Sequence, residues 1–144
     1  MKRLGPLAYW DLYTVRFILI CVHSAFAFIC LFLRPYLFEI VHGYAAMAAL
    51  MPTRWWGLCA ALVAICLLVT RRWAVPQMLA QLCSGLLLTM TTIAVSATTG
   101  PNLSTMAYGL YGALSLWAFY RVFSVWLYGL KLFQRLQNRI HRRG

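Results

Sequence analysis

The chain has 144 residues, of which 63% are apolar and only 10% are charged. An ordinary globular domain is about 45–50% apolar and about 25% charged, so this composition excludes a soluble enzyme domain, a disordered chain and a disulfide-stapled secreted module. The net charge of +11 comes from 13 Lys and Arg against 2 Asp and Glu. On a soluble protein it would suggest nucleic-acid binding, but here the charges sit between and after long apolar runs.

The pattern predicts an all-α polytopic membrane protein. A spanning helix needs about 20 apolar residues. Phe17–Leu33 is free of charge between Arg16 and Arg34, and Trp55–Thr70 is free of charge between Arg54 and Arg71. Trp73–Tyr120 carries no charge for 48 residues, enough for two spans, and Gly100-Pro101-Asn102 breaks it. Four spans are expected at about 16–33, 54–71, 76–98 and 104–121. A cleavable leader ending at Ala25-Phe26-Ala27 is set aside, because it would leave Phe28–Leu33 as an orphan apolar start.

The boundaries carry suitable chemistry. Trp55, Trp56 and Trp73 are amphipathic rings expected at headgroup level. Thr53 is a candidate N-cap for the second span, Pro76 fits the first turn of the third, and Asn102 or Ser104 can cap the fourth. The segment 36–51 lies between Pro35 and Pro52. Glu39 and His42 share one helical face, and Leu37, Ile40, Tyr44, Met47 and Met51 form another. This predicts an amphipathic helix lying at the interface; the alternative is a fifth span. With four spans and a cytoplasmic N-terminus, 11 basic residues fall inside and 2, Arg34 and Arg54, outside. Five spans in the better orientation give 9 against 4, so four spans with both termini cytoplasmic is the expected topology.

Beyond Arg121 the apolar positions Phe123, Trp126, Leu127, Leu130, Phe133, Leu136 and Ile140 recur at helical spacing. Lys131, Arg135 and Arg139 follow at every fourth position, with Arg142 and Arg143 beyond. The chain therefore divides into a membrane domain, 1–128, and a basic cytoplasmic tail, 129–144, with Gly129 as a candidate hinge. The tail reads as an amphipathic helix for an anionic leaflet, and nucleic acid is not the expected partner.

Little in the spans points to chemistry. His23 is the one deep ionisable residue, and a hydrogen bond to a neighbouring helix is its expected role. The acids Asp11 and Glu39 both lie outside the spans, so no acid–base pair or proton path is expected there. The five cysteines have no metal-ligand spacing and read as small buried hydrophobes. No catalytic residue, metal or cofactor is expected. What remains is helix packing: Ala60-x-x-x-Ala64 in the second span, Ser84, Thr91 and Thr92 in the third, and Gly109, Gly112, Ala113 and Ser115 in the fourth. Such residues let helices approach and hydrogen-bond, either within one bundle or across an oligomer.

Several local patterns carry a resemblance. They are Met51-Pro52 before Trp55-Trp56-Gly57, the basic pair Arg71-Arg72, the break Gly100-Pro101-Asn102-Leu103-Ser104-Thr105, and Leu114-Ser115-Leu116-Trp117 in the last span. Over residues 36–121 the chain resembles small four-helix inner-membrane proteins encoded in tailed-phage and prophage genomes, a group described as holin-like. The resemblance implies a bacterial inner-membrane location and a membrane-permeabilising role in a homo-oligomer. The alternative is a non-enzymatic modulator, acting in superinfection exclusion or host takeover, or as an accessory subunit with a membrane-protein partner.

Overall fold

The computed structural model describes the backbone of residues 6–34, 36–70 and 73–141, and the side chains of 12–34, 36–70 and 73–130. Every element among them is helical. In chain order they are α1 (Pro6–Phe28), continued by a π-helical turn (Ile29–Leu33), α2 (Leu37–Ile40), a 3₁₀ turn (His42–Tyr44), α3 (Ala45–Leu50), α4 (Thr53–Val69), α5 (Ala74–Thr99) and α6 (Leu103–His141).

Three stretches are long and apolar enough to cross a membrane: Leu12–Leu33, Ala74–Thr99 and Leu103–Leu130. The expected second span forms the 17-residue helix α4. Together with His42–Leu50 it makes a pair bent by 72° at Met51-Pro52. Proline explains the bend, since it disfavours helical backbone at the residue before it; Met51 is fully extended, with φ −165° and ψ 156°.

Neighbouring helices alternate in direction. Arg16 on α1 meets Leu67 on α4, while Gly57 near the start of α4 lies against Cys30 and Leu31 beyond the end of α1. Gln81 on α5 meets Ser115 on α6, and Gly109 faces Thr92. The interior is unlike that of a water-soluble bundle. Gly57, Ala60, Ala64, Ser84, Gly85, Gly112, Ser115 and Ala118 are buried. Leu58, Leu62, Ile65 and Val69 of α4, and Leu79, Leu86, Met90 and Ile93 of α5, point outward and are exposed. Small residues inside and large apolar residues outside suit helices packed against each other in lipid.

Residues 36–51 do not form the single amphipathic helix expected from their pattern. They fold as three short turns that close one end of the bundle. Phe38 and Met47 are buried with Cys30, Trp56, Ala94 and Val95. Ile40, assigned to the apolar face, is instead 78% exposed. The extended Val41 (φ −90°, ψ 111°) interrupts the helical period, so faces counted across it do not hold.

The break after α5 lies where Gly100-Pro101-Asn102 placed it. Gly100 has φ +72°, the left-handed side that glycine tolerates. Asn102 and Thr105 then cap α6 reciprocally: Thr105 N–H donates to Asn102 Oδ1 (3.0 Å), and Asn102 N–H donates to Thr105 Oγ1 (2.8 Å). Gly129 is not a hinge, since α6 runs through it without interruption to His141. One glycine inside a strongly apolar-periodic helix costs only about 1 kcal/mol, too little to break it.

Candidate functional site

Three polar groupings sit where apolar packing alone would be expected. The most central joins three helices. His23 stands midway along the apolar stretch of α1, and its Nε2 lies 2.7 Å from Ser84 Oγ on α5. One turn earlier on α5, Gln81 meets α6: Ser115 Oγ donates to the Gln81 backbone carbonyl (2.8 Å) and to its Oε1 (3.0 Å). His23, Gln81, Ser84 and Ser115 are each no more than 1% exposed. Gln81 Nε2 is buried without a hydrogen-bond partner.

A hydroxyl on imidazole Nε2 is the arrangement that activates serine nucleophiles. Here it is sealed between helices, and the acids Asp11 and Glu39 both lie outside the long apolar stretches, leaving no carboxylate there to orient the ring. Ser84 is itself 0% exposed among the described residues. What this pair can do is tie α1 to α5, as Ser115 ties α5 to α6. The His23 partner agrees with the expected interhelical hydrogen bond. The identity of Ser84 was not legible, because nothing in the spacing aligns residues 61 positions apart.

The second grouping closes the end formed by residues 36–51. Thr53 is fully buried. Its Oγ1 accepts from Phe38 N–H (2.9 Å) and donates to Glu39 Oε2 (2.5 Å), while its own N–H donates to Glu39 Oε1 (3.0 Å). Thr53 was expected to cap its own helix. Instead Glu39, from a different element, accepts the free N–H at the start of α4, and Pro52 occupies the N-cap position. Nearby, Arg54 donates to Tyr36 Oη (3.0 Å) and stands 5.0 Å above its ring. Thr98 Oγ1 donates to the Gly43 carbonyl. His42, expected to share a helical face with Glu39, is exposed and takes no part in the Glu39–Thr53 contact.

Hydrogen bonds from the Thr53 hydroxyl, then its N–H, hold the Glu39 carboxyl below the usual carboxylate value of 4.5. A lowered acid contributes stability above its unfolded value and loses it as pH falls through the folded one. Thermal unfolding in detergent is therefore expected to show stability falling on acidification through this window, and Glu39→Gln is expected to flatten that part of the profile. An unchanged profile in the variant would count against the clasp.

The third grouping lies at the opposite end. Arg16 is only 7% exposed. Its Nε donates to the Leu67 carbonyl (2.7 Å) and a terminal nitrogen to the Leu68 carbonyl (3.3 Å). A guanidinium on the last carbonyls of α4 satisfies groups the helix cannot, at its negative end. The sequence marked Arg16 only as the edge of a span.

The other expected site residues distribute as follows. Ala60 and Ala64 are buried in the bundle. Thr91 and Thr92 donate to the carbonyls four residues back, Leu87 and Leu88. Gly112 faces Leu88 and Thr89, whereas Ala113, also expected among the packing residues, is exposed. The small face of α6 is therefore Thr105, Gly112, Ser115 and Ala118. Trp55 and Trp73 are exposed, as interfacial rings would be. Trp56 corrects its expectation: it is fully buried, and its Nε1–H donates to the Met47 carbonyl (3.1 Å). Adjacent helical residues point about 100° apart, and the 36–51 turns, through Phe38 and Met47, cover the side of α4 that carries Trp56 while leaving Trp55 outside. Cys21 and Cys83 are exposed rather than buried. Lys131, Arg135 and Arg139 lie on α6 with side chains outside the described set, and Arg142 and Arg143 lie outside the described residues. Among the described residues, no group of three His, Cys, Asp or Glu could hold a metal ion.

Fold and polar groupings together define an all-helical chain with three helices able to cross a membrane, closed at one end by short turns. No protein family, curated protein or solved structure matches it. The resemblance to phage-encoded membrane proteins gains no support from these comparisons.

Proposed function

We propose that the protein is a four-span integral membrane protein of the bacterial inner membrane, with α4 as the fourth span and the start of α1 and the end of α6 both cytoplasmic. Its role is non-enzymatic and works through protein contacts, as a membrane modulator or an accessory subunit of a larger complex. It does not open lesions. The phage or prophage setting stays part of this proposal, through superinfection exclusion or host takeover.

One observation carries the choice. Four small or hydroxyl residues that could line an oligomeric pore are instead engaged inside the chain: Ser84 on His23, Ser115 on Gln81, Gly85 against Leu116, Gly112 against Thr89. The outward faces of α4 and α5 carry large apolar side chains suited to lipid. The alternation of helix directions supports four crossings, and the outer basic residues, Arg34 and Arg54, fall at the end opposite Arg16.

The direct test is induced expression in a bacterium, with membrane potential followed by a dye. The expected result is a retained potential at high expression. Collapse of the potential, abolished by Ser84→Leu or Ser115→Leu, would restore the lesion-forming reading.

A further inference from the structure

We propose that the part of α6 beyond the bundle is a parallel pairing surface for a second copy of this chain. The register of Gln81 on Ser115 sets the beginning of α5, Ala74, opposite about residue 122 of α6. From there α6 continues to His141 as uninterrupted helix, about 28 Å at 1.5 Å per residue. By the register of His23 on Ser84, α1 continues past the same level by only about 10 Å, to Pro6. Among the described residues, the last turns of α6 therefore have no helix of their own chain beside them.

A coiled-coil seam starts on α6 beside the first turns of α1 and runs on into those last turns. Phe123, Trp126, Leu130, Phe133, Gln137 and Ile140 alternate three and four apart, the a and d positions of a heptad. Leu127 and Leu136 widen the stripe on either side. The seam begins in described side chains: Phe123 and Trp126 lie 6.2 Å apart along the helix, and Leu130 is exposed. Gln137 is a single polar residue at an a position, the kind that fixes register between identical strands.

The charges identify the occupant. Lys131, Arg135 and Arg139 fall at b, f and c, the outer positions, so seam and flanks are free of charge from Phe123 to Ile140. Two such helices can meet without opposing their basic residues. An acidic partner helix would find no basic residue at e or g to pair with over that length. Lying on the leaflet would require a sharp bend where α6 leaves the bundle, and α6 is continuous there and contains no proline. Copies inserted in one membrane share one orientation, so their tails emerge side by side at high effective concentration. This last step rests on the four-span reading above. The inference also gives the chain a way to associate that leaves the polar core of each bundle closed.

Single cysteines placed in the full chain test it, with the unmodified chain as the baseline for its five native cysteines. Membranes are treated with a mild oxidant, and dimers are read on a non-reducing gel. Leu130→Cys and Phe133→Cys are expected to shift mostly to dimer, while Tyr128→Cys and Arg135→Cys stay at the baseline. Equal cross-linking at seam and outer positions would overturn the proposal. So would seam cysteines that stay monomeric, whether a water-soluble maleimide reaches them (bare tail) or not (another cover). Arg135→Cys labelled by an impermeant maleimide from outside intact cells would instead overturn the topology, whatever the cross-links show.

Discussion

Trp56→Ala is expected to cost about 3–5 kcal/mol of stability, the range for truncating a fully buried aromatic. Trp56 is 0% exposed and packs edge-on to Phe38, with ring centroids 6.4 Å apart. Met47 and Cys30 belong to the same cluster. Truncation leaves a cavity under residues 36–51 and also removes one of the two hydrogen bonds that the Met47 carbonyl accepts, the indole N–H, leaving only that from Met51 N–H. Loss should therefore concentrate at that end of the bundle. Thermal unfolding in detergent, with limited proteolysis to follow the 36–51 turns, reads both effects. Trp56→Phe should fall between, keeping most of the packing and losing the hydrogen bond. Trp55→Ala is the control: the side chain is 60% exposed, and its removal should leave the midpoint nearly unchanged. Equal effects of the two alanine variants would show that the cap does not rest on Trp56.

This contrast also shows how far the chain could be read without its structure. The helices were legible because charge, proline and glycine punctuate long apolar runs, and these are local signals. Gly100-Pro101-Asn102 ends one helix and caps the next through contacts no more than four residues apart. The inward turn of Trp56 was not legible, since headgroup preference and core packing both favour tryptophan, and only the turns above it decide. The clasp of Glu39 on Thr53 was hidden for a similar reason. A carboxylate 14 positions away replaced the local cap that Thr53 promised. At Arg16, the span-edge signal and the helix-end contact coincide in one residue, and only pairing with α4 reveals the second. In the core, the sequence marked Ser84 and Ser115 as packing residues, and the structure buries both between helices. The sequence could not say that they would be used up within the chain, which turns on register between helices.

Gly57→Ala is expected to destabilise the bundle by about 1–3 kcal/mol, the usual cost of overpacking a core. Helix propensity argues the other way, since alanine is about 1 kcal/mol better than glycine inside a helix. Packing decides the sign. A Cβ at Gly57 would stand 2.9 Å from Cys30 Cβ and 2.9 Å from Leu31 Cγ. Cys30 Cβ is fixed to the backbone and cannot swing aside, so α1 itself must move away from α4. The π-helical turn Ile29–Leu33 brings the chain into this contact, which links the local irregularity of α1 to its close approach on Gly57. Gly109→Ala provides the opposite case on α6. Its added Cβ would meet only the Thr92 side chain, at 3.6 Å, an ordinary contact. There the propensity gain should survive and stability should hold or rise. Unfolding midpoints of the two variants in the same detergent should therefore move in opposite directions. If both rise, α1 and α4 do not pack as closely as Gly57 allows.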